Sequence, residues 1–147
     1  MKEGHIMASE KKQMALELWE RLSKAYDKYK RIQAKQMFAE KLTAPQFGVL
    51  EILHKTGPVP LKRLSQEMMV TGANITCVMD NLEKEGFVKR IFSKEDRRVI
   101  LADLTASGRA KIGSIMPKYA DNIASLTSVL NDHEQKELAK LLGKFQD

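Results

Sequence analysis

A short polar segment, residues 93–98, carries lysine, glutamate, aspartate and two arginines, a set of charges that suits contact with nucleic acid. It separates two segments rich in Val, Ile, Leu and Phe, residues 87–92 and 99–104, which predict a β-hairpin. Arginine fits the narrow, electronegative minor groove of A·T-rich DNA, and a nearby aspartate can hold its guanidinium or cap the turn. The candidate contact residues are Lys94, Asp96, Arg97 and Arg98. The competing interpretation is a solvated loop, which is what most charge runs are.

Upstream of the hairpin, a helix start offers side chains that can read DNA bases. Residues 61–68 predict a short helix and residues 69–72 a turn, after which a second helix runs to about residue 85. The apolar residues at i, i+3, i+4 and i+7 face the core: Ile75, Val78, Met79 and Leu82. The side chains nearest the helix start, which suit phosphates and base edges, are Thr71, Ala73, Asn74, Thr76 and Cys77. Alone they are solvated residues of a first turn, but beside a basic hairpin they predict DNA recognition.

Longer helices must position these two elements. Apolar residues recur at helical steps over residues 10–40 and again after Thr105, whereas residues 1–9 predict a disordered lead-in. Both stripes exceed what a three-helix lobe can cover, which predicts a second subunit. The predicted fold class is mainly α (α+β): a winged helix-turn-helix DNA-binding lobe at residues 43–105, with N- and C-terminal dimerisation helices at residues 10–42 and 106–147.

Composition and charge narrow the classes of function. Among 147 residues, 25 Lys and Arg stand against 19 Asp and Glu, and the net charge of +6 favours an anionic partner such as nucleic acid. Residues 84–98 concentrate the excess, with six basic residues and three acidic ones. One cysteine excludes an internal disulfide and, without a membrane-spanning apolar run, predicts a cytoplasmic protein with no membrane partner. No nucleophile–base spacing, phosphate loop or metal cluster is present, so we expect no enzyme, metal or cofactor.

Three motifs make the pattern more specific. They are LKRL at residues 61–64, NITCVMDNLEKEGFVKR at residues 74–90 and DRRVILADLT at residues 96–105. With the long first helix and the closing helices, the chain resembles the MarR family of bacterial winged helix-turn-helix transcriptional regulators from about residue 10 to 145. The resemblance implies that Asp96 and Arg98 form the wing pair, with Arg98 in the minor groove, and that Thr76 is the usual recognition-helix threonine. The next position, commonly basic in the family, is Cys77 here, which shifts the expected base contacts to Asn74, Thr76 and the wing.

The resemblance also implies how such a regulator works. It implies a homodimer on a near-palindromic double-stranded DNA operator, acting as a repressor at the bacterial nucleoid and released by a small aromatic or phenolic ligand or an electrophile. The aromatic residues that could line a ligand cleft are Trp19, Tyr26, Tyr29 and Phe47, although a helical aromatic stripe is more often plain core. Cys77 is a candidate redox sensor, against the alternative of an inert small residue. The competing function is a winged-helix module that binds another protein without reading DNA.

Overall fold

The computed structural model describes residues 2–146, which form two compact units, one up to Ala44 and one from Pro45 onward. The elements follow the predicted order with one added strand. Their bounds are α1 (Lys2–Ala39), α2 (Ala44–Thr56), β1 (Val59–Pro60), α3 (Leu61–Glu67), α4 (Gly72–Lys84), β2 (Val88–Phe92), β3 (Ile100–Leu104), α5 (Ala106–Thr127) and α6 (Asp132–Gly143).

The first unit is helix α1 with the short link that follows it. Our expectation of a disordered lead-in at residues 1–9 is wrong for residues 2–9, because α1 already begins at Lys2; Met1 lies outside the described residues. This segment contains no proline, and an existing helix extends at little cost when one hydrogen bond is gained per residue. The helix ends where Lys41 takes a left-handed φ of 59°, and the Leu42 N–H donates to the Met37 carbonyl at 2.9 Å.

The second unit is built around an apolar core. All of its helices and strands except α6 contribute buried side chains to this core. Helix α2 is buried as its nearly all-apolar pattern predicts, and the Phe47 ring lies 4.8 Å from the Tyr119 ring of α5. Fully buried side chains from four other elements complete this core: Leu64, Ile75, Met79, Leu82, Leu104, Ile112 and Ile115. The core therefore fixes α3, α4, the hairpin and α5 in one body.

The helix–turn–helix follows the sequence closely. Thr71 is the N-cap of α4, and its side chain accepts a hydrogen bond from the Asn74 N–H at 3.2 Å. At the other end Gly86 has a left-handed φ of 78°, and the Phe87 N–H donates to the Leu82 carbonyl at 3.0 Å. The buried face consists of Ile75, Met79 and Leu82, as the periodicity predicts, while Val78 is half-buried.

The hairpin is part of a three-stranded antiparallel sheet in the order β1-β3-β2. The predicted pairing of β2 with β3 is confirmed, with Val88 opposite Leu104 and Arg90 opposite Ala102. Strand β1 was not predicted, because a two-residue strand containing a proline has no alternating pattern to detect. Paired residues share a face, so Arg90 points to the same side of the sheet as the buried Ala102.

Candidate nucleic-acid interface

The N-terminal half of α4 presents the five side chains that the sequence singled out. Thr71, Ala73, Asn74, Thr76 and Cys77 are all exposed. Because the Thr71 hydroxyl oxygen accepts the Asn74 N–H, the first turn of α4 is held in place while the Asn74 side chain remains exposed. The positive end of the helix dipole lies here, which favours an approaching phosphate.

The hydroxyl of Thr76 has a defined orientation. Its Oγ1 donates to the Gly72 carbonyl at 3.0 Å, one turn back in α4. With its hydrogen used inside the helix, the side chain offers only an acceptor lone pair and a methyl group to the exterior. The methyl group suits thymine, and the lone pair suits the amino group of adenine or cytosine. Thr76 is thus better suited to accepting from a base than to donating to one.

We call residues 93–99, which join β2 to β3, the wing. The Ser93 N–H donates to the Val99 carbonyl at 3.0 Å and closes it. The Asp96 carboxylate accepts three hydrogen bonds from Arg98. One of its oxygens accepts from the Arg98 backbone N–H at 3.0 Å and from Nε at 3.1 Å. The other oxygen accepts from Nη2 at 3.1 Å. Two hydrogen bonds from Arg98 lower the pKa of Asp96. The larger effect comes from the Arg98 side chain and the smaller from its backbone N–H. The Arg98 side chain is 91% exposed, so a fixed guanidinium stands out from the wing.

Ser93 was not singled out by the sequence, although it shapes the wing. It is only 8% exposed, and its hydroxyl donates to the Glu95 carboxylate at 2.8 Å. The same oxygen accepts from the Glu95 N–H at 3.3 Å and from the Asp96 N–H at 3.4 Å. The hydrogen bond from Ser93 lowers the pKa of Glu95. A serine at the first position of a polar turn is the signal that would have indicated this role.

Arg90 was also missed, and it changes the charge of this surface. By sequence it counts among the six basic residues between positions 84 and 98. In the structure its guanidinium forms ion pairs with two carboxylates of α4, Asp80 at 2.6 Å and Glu83. Its side chain is 24% exposed, in contrast to Arg98. The basic residues that remain available on the wing are Lys94, Arg97 and Arg98, each exposed.

The four aromatic candidates for a ligand cleft have different surroundings. Phe47 is 1% exposed and packs in the core. For this residue the structure agrees with the alternative interpretation, in which a helical aromatic residue is plain core. Trp19 and Tyr26 are largely exposed on α1, and Lys30 Nζ lies 4.6 Å from the Tyr26 ring centre. Tyr29 is half-buried on the same helix. A cleft lined by these residues stays a prediction.

Other kinds of site are not found among the described residues. No three His, Cys, Asp or Glu side chains converge in a way that could hold a metal ion. In the same part of the chain, no helix combines the length and the apolar character needed to cross a membrane. Cys77 is an exposed free thiol. Within the described residues, the N-terminal half of α4 and the exposed cations of the wing remain the candidate contacts for DNA.

Comparison with known proteins identifies the family of this chain. The model of the MarR family matches residues 42–100. The HTH-type transcriptional regulator MhqR of Bacillus subtilis is 31% identical over 130 residues, which cover 88% of this chain and 90% of that protein. The chain belongs to the MarR family. This chain spans less than two thirds of the length of two further HTH-type regulators of Bacillus subtilis, 64% of YkoM and 62% of YetL.

Solved structures agree with that assignment. A mutant MarR from E. coli in complex with operator DNA has a TM-score of 0.77 at 25% identity, over 86% of this chain and 91% of that one. BpsR of Bordetella bronchiseptica, whose DNA binding is regulated by 6-hydroxynicotinic acid, has a TM-score of 0.79 at 27% identity, over 89% and 99%. The predicted family and winged-helix fold are thus confirmed, and this MarR-family chain is a DNA-binding transcriptional regulator rather than an enzyme.

Proposed function

We propose that this protein is a homodimeric repressor that binds a near-palindromic operator with α4 in the major groove and the wing on the minor groove. The observation that carries the proposal is the Asp96–Arg98 pair, which holds a 91% exposed guanidinium at the end of the hairpin that follows α4. A mutant E. coli MarR of similar fold is solved in complex with operator DNA, which supports operator binding by this chain. The competing module without DNA readout has no comparable support, because the relatives are DNA-binding regulators.

Exposed apolar side chains support the dimer. Large apolar residues stand exposed on α1 and around α6, and apolar surface of this kind is a common site of subunit association. They include Met14, Leu16, Leu18, Trp19, Val129, Leu138, Leu141 and Phe145. A two-fold dimer would place its two α4 helices about one turn of DNA apart, roughly 34–36 Å, on an inverted repeat. Sedimentation equilibrium that gives a monomer at micromolar concentration would contradict this part of the proposal.

Release by a small aromatic or phenolic ligand is the second part of the proposal. Its support is the effector of BpsR, 6-hydroxynicotinic acid, which is a small aromatic acid. Exposed Trp19 and Tyr26, with half-buried Tyr29, are the aromatic side chains that could reach such a molecule. Release by an oxidant or electrophile through Cys77, which is an exposed free thiol on α4, stays a prediction. Loss of operator binding on adding hydroxylated aromatic acids is the measurement that tests this part.

The wing is tested by replacing Arg98. We expect Arg98→Ala to weaken operator binding by about 1–3 kcal/mol, measured by fluorescence anisotropy with the inverted repeat nearest its gene. Lys55→Ala, which removes one exposed positive charge from the end of α2, is the matched control and should have little effect. Asp96→Ala removes a negative charge, yet it should also weaken binding, because it frees the Arg98 guanidinium. Tighter binding by Asp96→Ala, or unchanged binding by Arg98→Ala, would contradict the assignment of the wing.

A further inference from the structure

Arg90 occupies an unusual place for a charged residue. Val88, Arg90 and Phe92 share one face of β2, and their partners across the hairpin are Leu104, Ala102 and Ile100. Val88, Ala102 and Leu104 are each no more than 2% exposed, so Arg90 extends from the apolar face of the hairpin. Helix α4 contacts β2 on this unit of the chain. A charge in such a position requires a compensating partner.

The partners of Arg90 all lie on one stripe of α4. Its Nη2 donates to Asp80 Oδ1 at 2.6 Å, and its Nη1 donates to the Glu83 carboxylate. Nη2 also reaches the Thr76 carbonyl at 3.5 Å. Positions 76, 80 and 83 are at i, i+4 and i+7, and therefore lie on one face of the helix. One planar guanidinium thus spans two turns of α4, which the single ammonium of a lysine cannot do.

We infer that Arg90 is a positioning residue for DNA binding: it clamps α4 to the hairpin through Asp80 and Glu83, and so sets the helix relative to the wing. The inference rests on the proposed function, in which α4 and the wing engage neighbouring grooves at the same time. In this inference Arg90 acts on DNA through α4 and not by contact, because its side chain is only 24% exposed and both of its Nη atoms donate to α4. Asp80 and Glu83, which by charge alone oppose DNA, become necessary for binding.

For one double variant, this inference and simple electrostatics predict opposite changes in operator affinity. The double variant Asp80→Ala, Glu83→Ala removes two negative charges beside the DNA-binding helix, and alanine strengthens a helix at both positions. Electrostatics alone therefore predicts tighter operator binding. The clamp predicts weaker binding, by about threefold to tenfold, since ion pairs at partly exposed positions are individually weak and two are lost together. Glu85→Gln, which neutralises an exposed carboxylate at the end of the same helix, is the matched control and should not weaken binding.

Two further measurements show whether Arg90 acts through these carboxylates. The triple variant that adds Arg90→Ala should bind operator no more weakly than Arg90→Ala alone, because both remove the same clamp. Arg90→Lys should fall between Arg90→Ala and wild type, since it keeps one ion pair. Binding to a scrambled duplex should fall less than binding to the operator in every clamp variant, because misplacement of α4 affects specific contacts first. Urea unfolding of each variant establishes that it is folded under the binding conditions.

The outcomes are distinct. Operator binding by the Asp80→Ala, Glu83→Ala variant that equals or exceeds wild type would overturn the inference. Losses that add in the triple variant would also overturn it, since they would place Arg90 on DNA directly. If the wild-type protein prefers no operator over scrambled DNA, the proposed function fails. A double-mutant cycle between Arg90 and Asp80 in urea unfolding then still decides whether the clamp exists, and a coupling of zero would refute it.

Discussion

Replacing Gly108 by alanine should destabilise the fold, because the first turn of α5 lies directly against the base of the hairpin. A Cβ at this position would lie 1.9 Å from the Phe87 carbonyl oxygen, 2.9 Å from its carbonyl carbon and 3.3 Å from Leu104 Cδ2. Non-bonded heavy atoms attract at about 3.5–4.0 Å, so the Phe87 backbone would have to move by more than about 1 Å. The backbone at a buried junction cannot move away from the added Cβ as a flexible side chain could.

The movement would also break contacts that join α5 to the hairpin. The Thr105 N–H donates to the same Phe87 carbonyl at 3.1 Å, and the Thr105 hydroxyl donates to the Gly86 carbonyl at 2.5 Å. Overpacking costs about 1–3 kcal/mol and each weakened hydrogen bond about 1 kcal/mol. Alanine gains about 1 kcal/mol over glycine as a helix former. With both hydrogen bonds weakened, we therefore expect Gly108→Ala to lower the free energy of unfolding by about 2–4 kcal/mol.

Gly113 in the same helix provides the control. It is exposed and a Cβ there would meet no atom within 4 Å, so Gly113→Ala should raise the free energy of unfolding by about 0.5–1 kcal/mol. Urea denaturation followed by far-UV circular dichroism measures both variants, at one protein concentration because the stability of the proposed dimer would depend on it. A Gly108→Ala midpoint equal to or above that of wild type would refute the packing between Gly108 and Phe87.

Two more predictions concern the wing and the N-cap of α4. The carboxyl of Asp96 should titrate below the usual aspartate pKa of about 3.9, so the contribution of its ion pair is complete above that pH and is lost as the pH falls through the lowered pKa. Carboxyl NMR measures this titration, and Arg98→Ala should return the midpoint upward; an unmoved midpoint would contradict the pairing. Thr71→Ala should cost about 1 kcal/mol of stability through the lost N-cap, whereas Thr71→Ser should keep most of it, and equal losses in urea would exclude the cap.

The local elements were predictable because their signals lie within a few residues. Thr71 and Gly86 mark the two ends of α4, and Asn131 with Glu134 forms the capping box that begins α6. Each of these depends on backbone groups close in sequence, where propensity and hydrogen-bonding chemistry are most reliable. The ion pair between Asp96 and Arg98 likewise joins groups that are close in sequence, only two residues apart.

What escaped prediction depends on strand register or on very short segments. Strand β1 has two residues and no periodicity. Met69 takes a left-handed φ of 55° in the turn before α4, where a glycine would be the usual signal. The partners of Arg90 lie 7 and 10 residues away on α4, and they meet Arg90 because β2 folds back against that helix. No local pattern encodes such a meeting.

Arg90 and Arg98 show why net charge alone describes this interface poorly. Each contributes one positive charge to the basic segment, and each has an acidic partner. Asp96 is two residues from Arg98, whose side chain stays exposed, so in the proposed complex that pairing presents the charge to DNA. Asp80 and Glu83 lie on α4 and pair with the less exposed Arg90, so in the inferred clamp that pairing holds the helix instead of contacting DNA. The effect of each arginine on binding therefore depends on where its carboxylate partner lies. Removal of the carboxylate partners of Arg90 or of Arg98 should weaken operator binding.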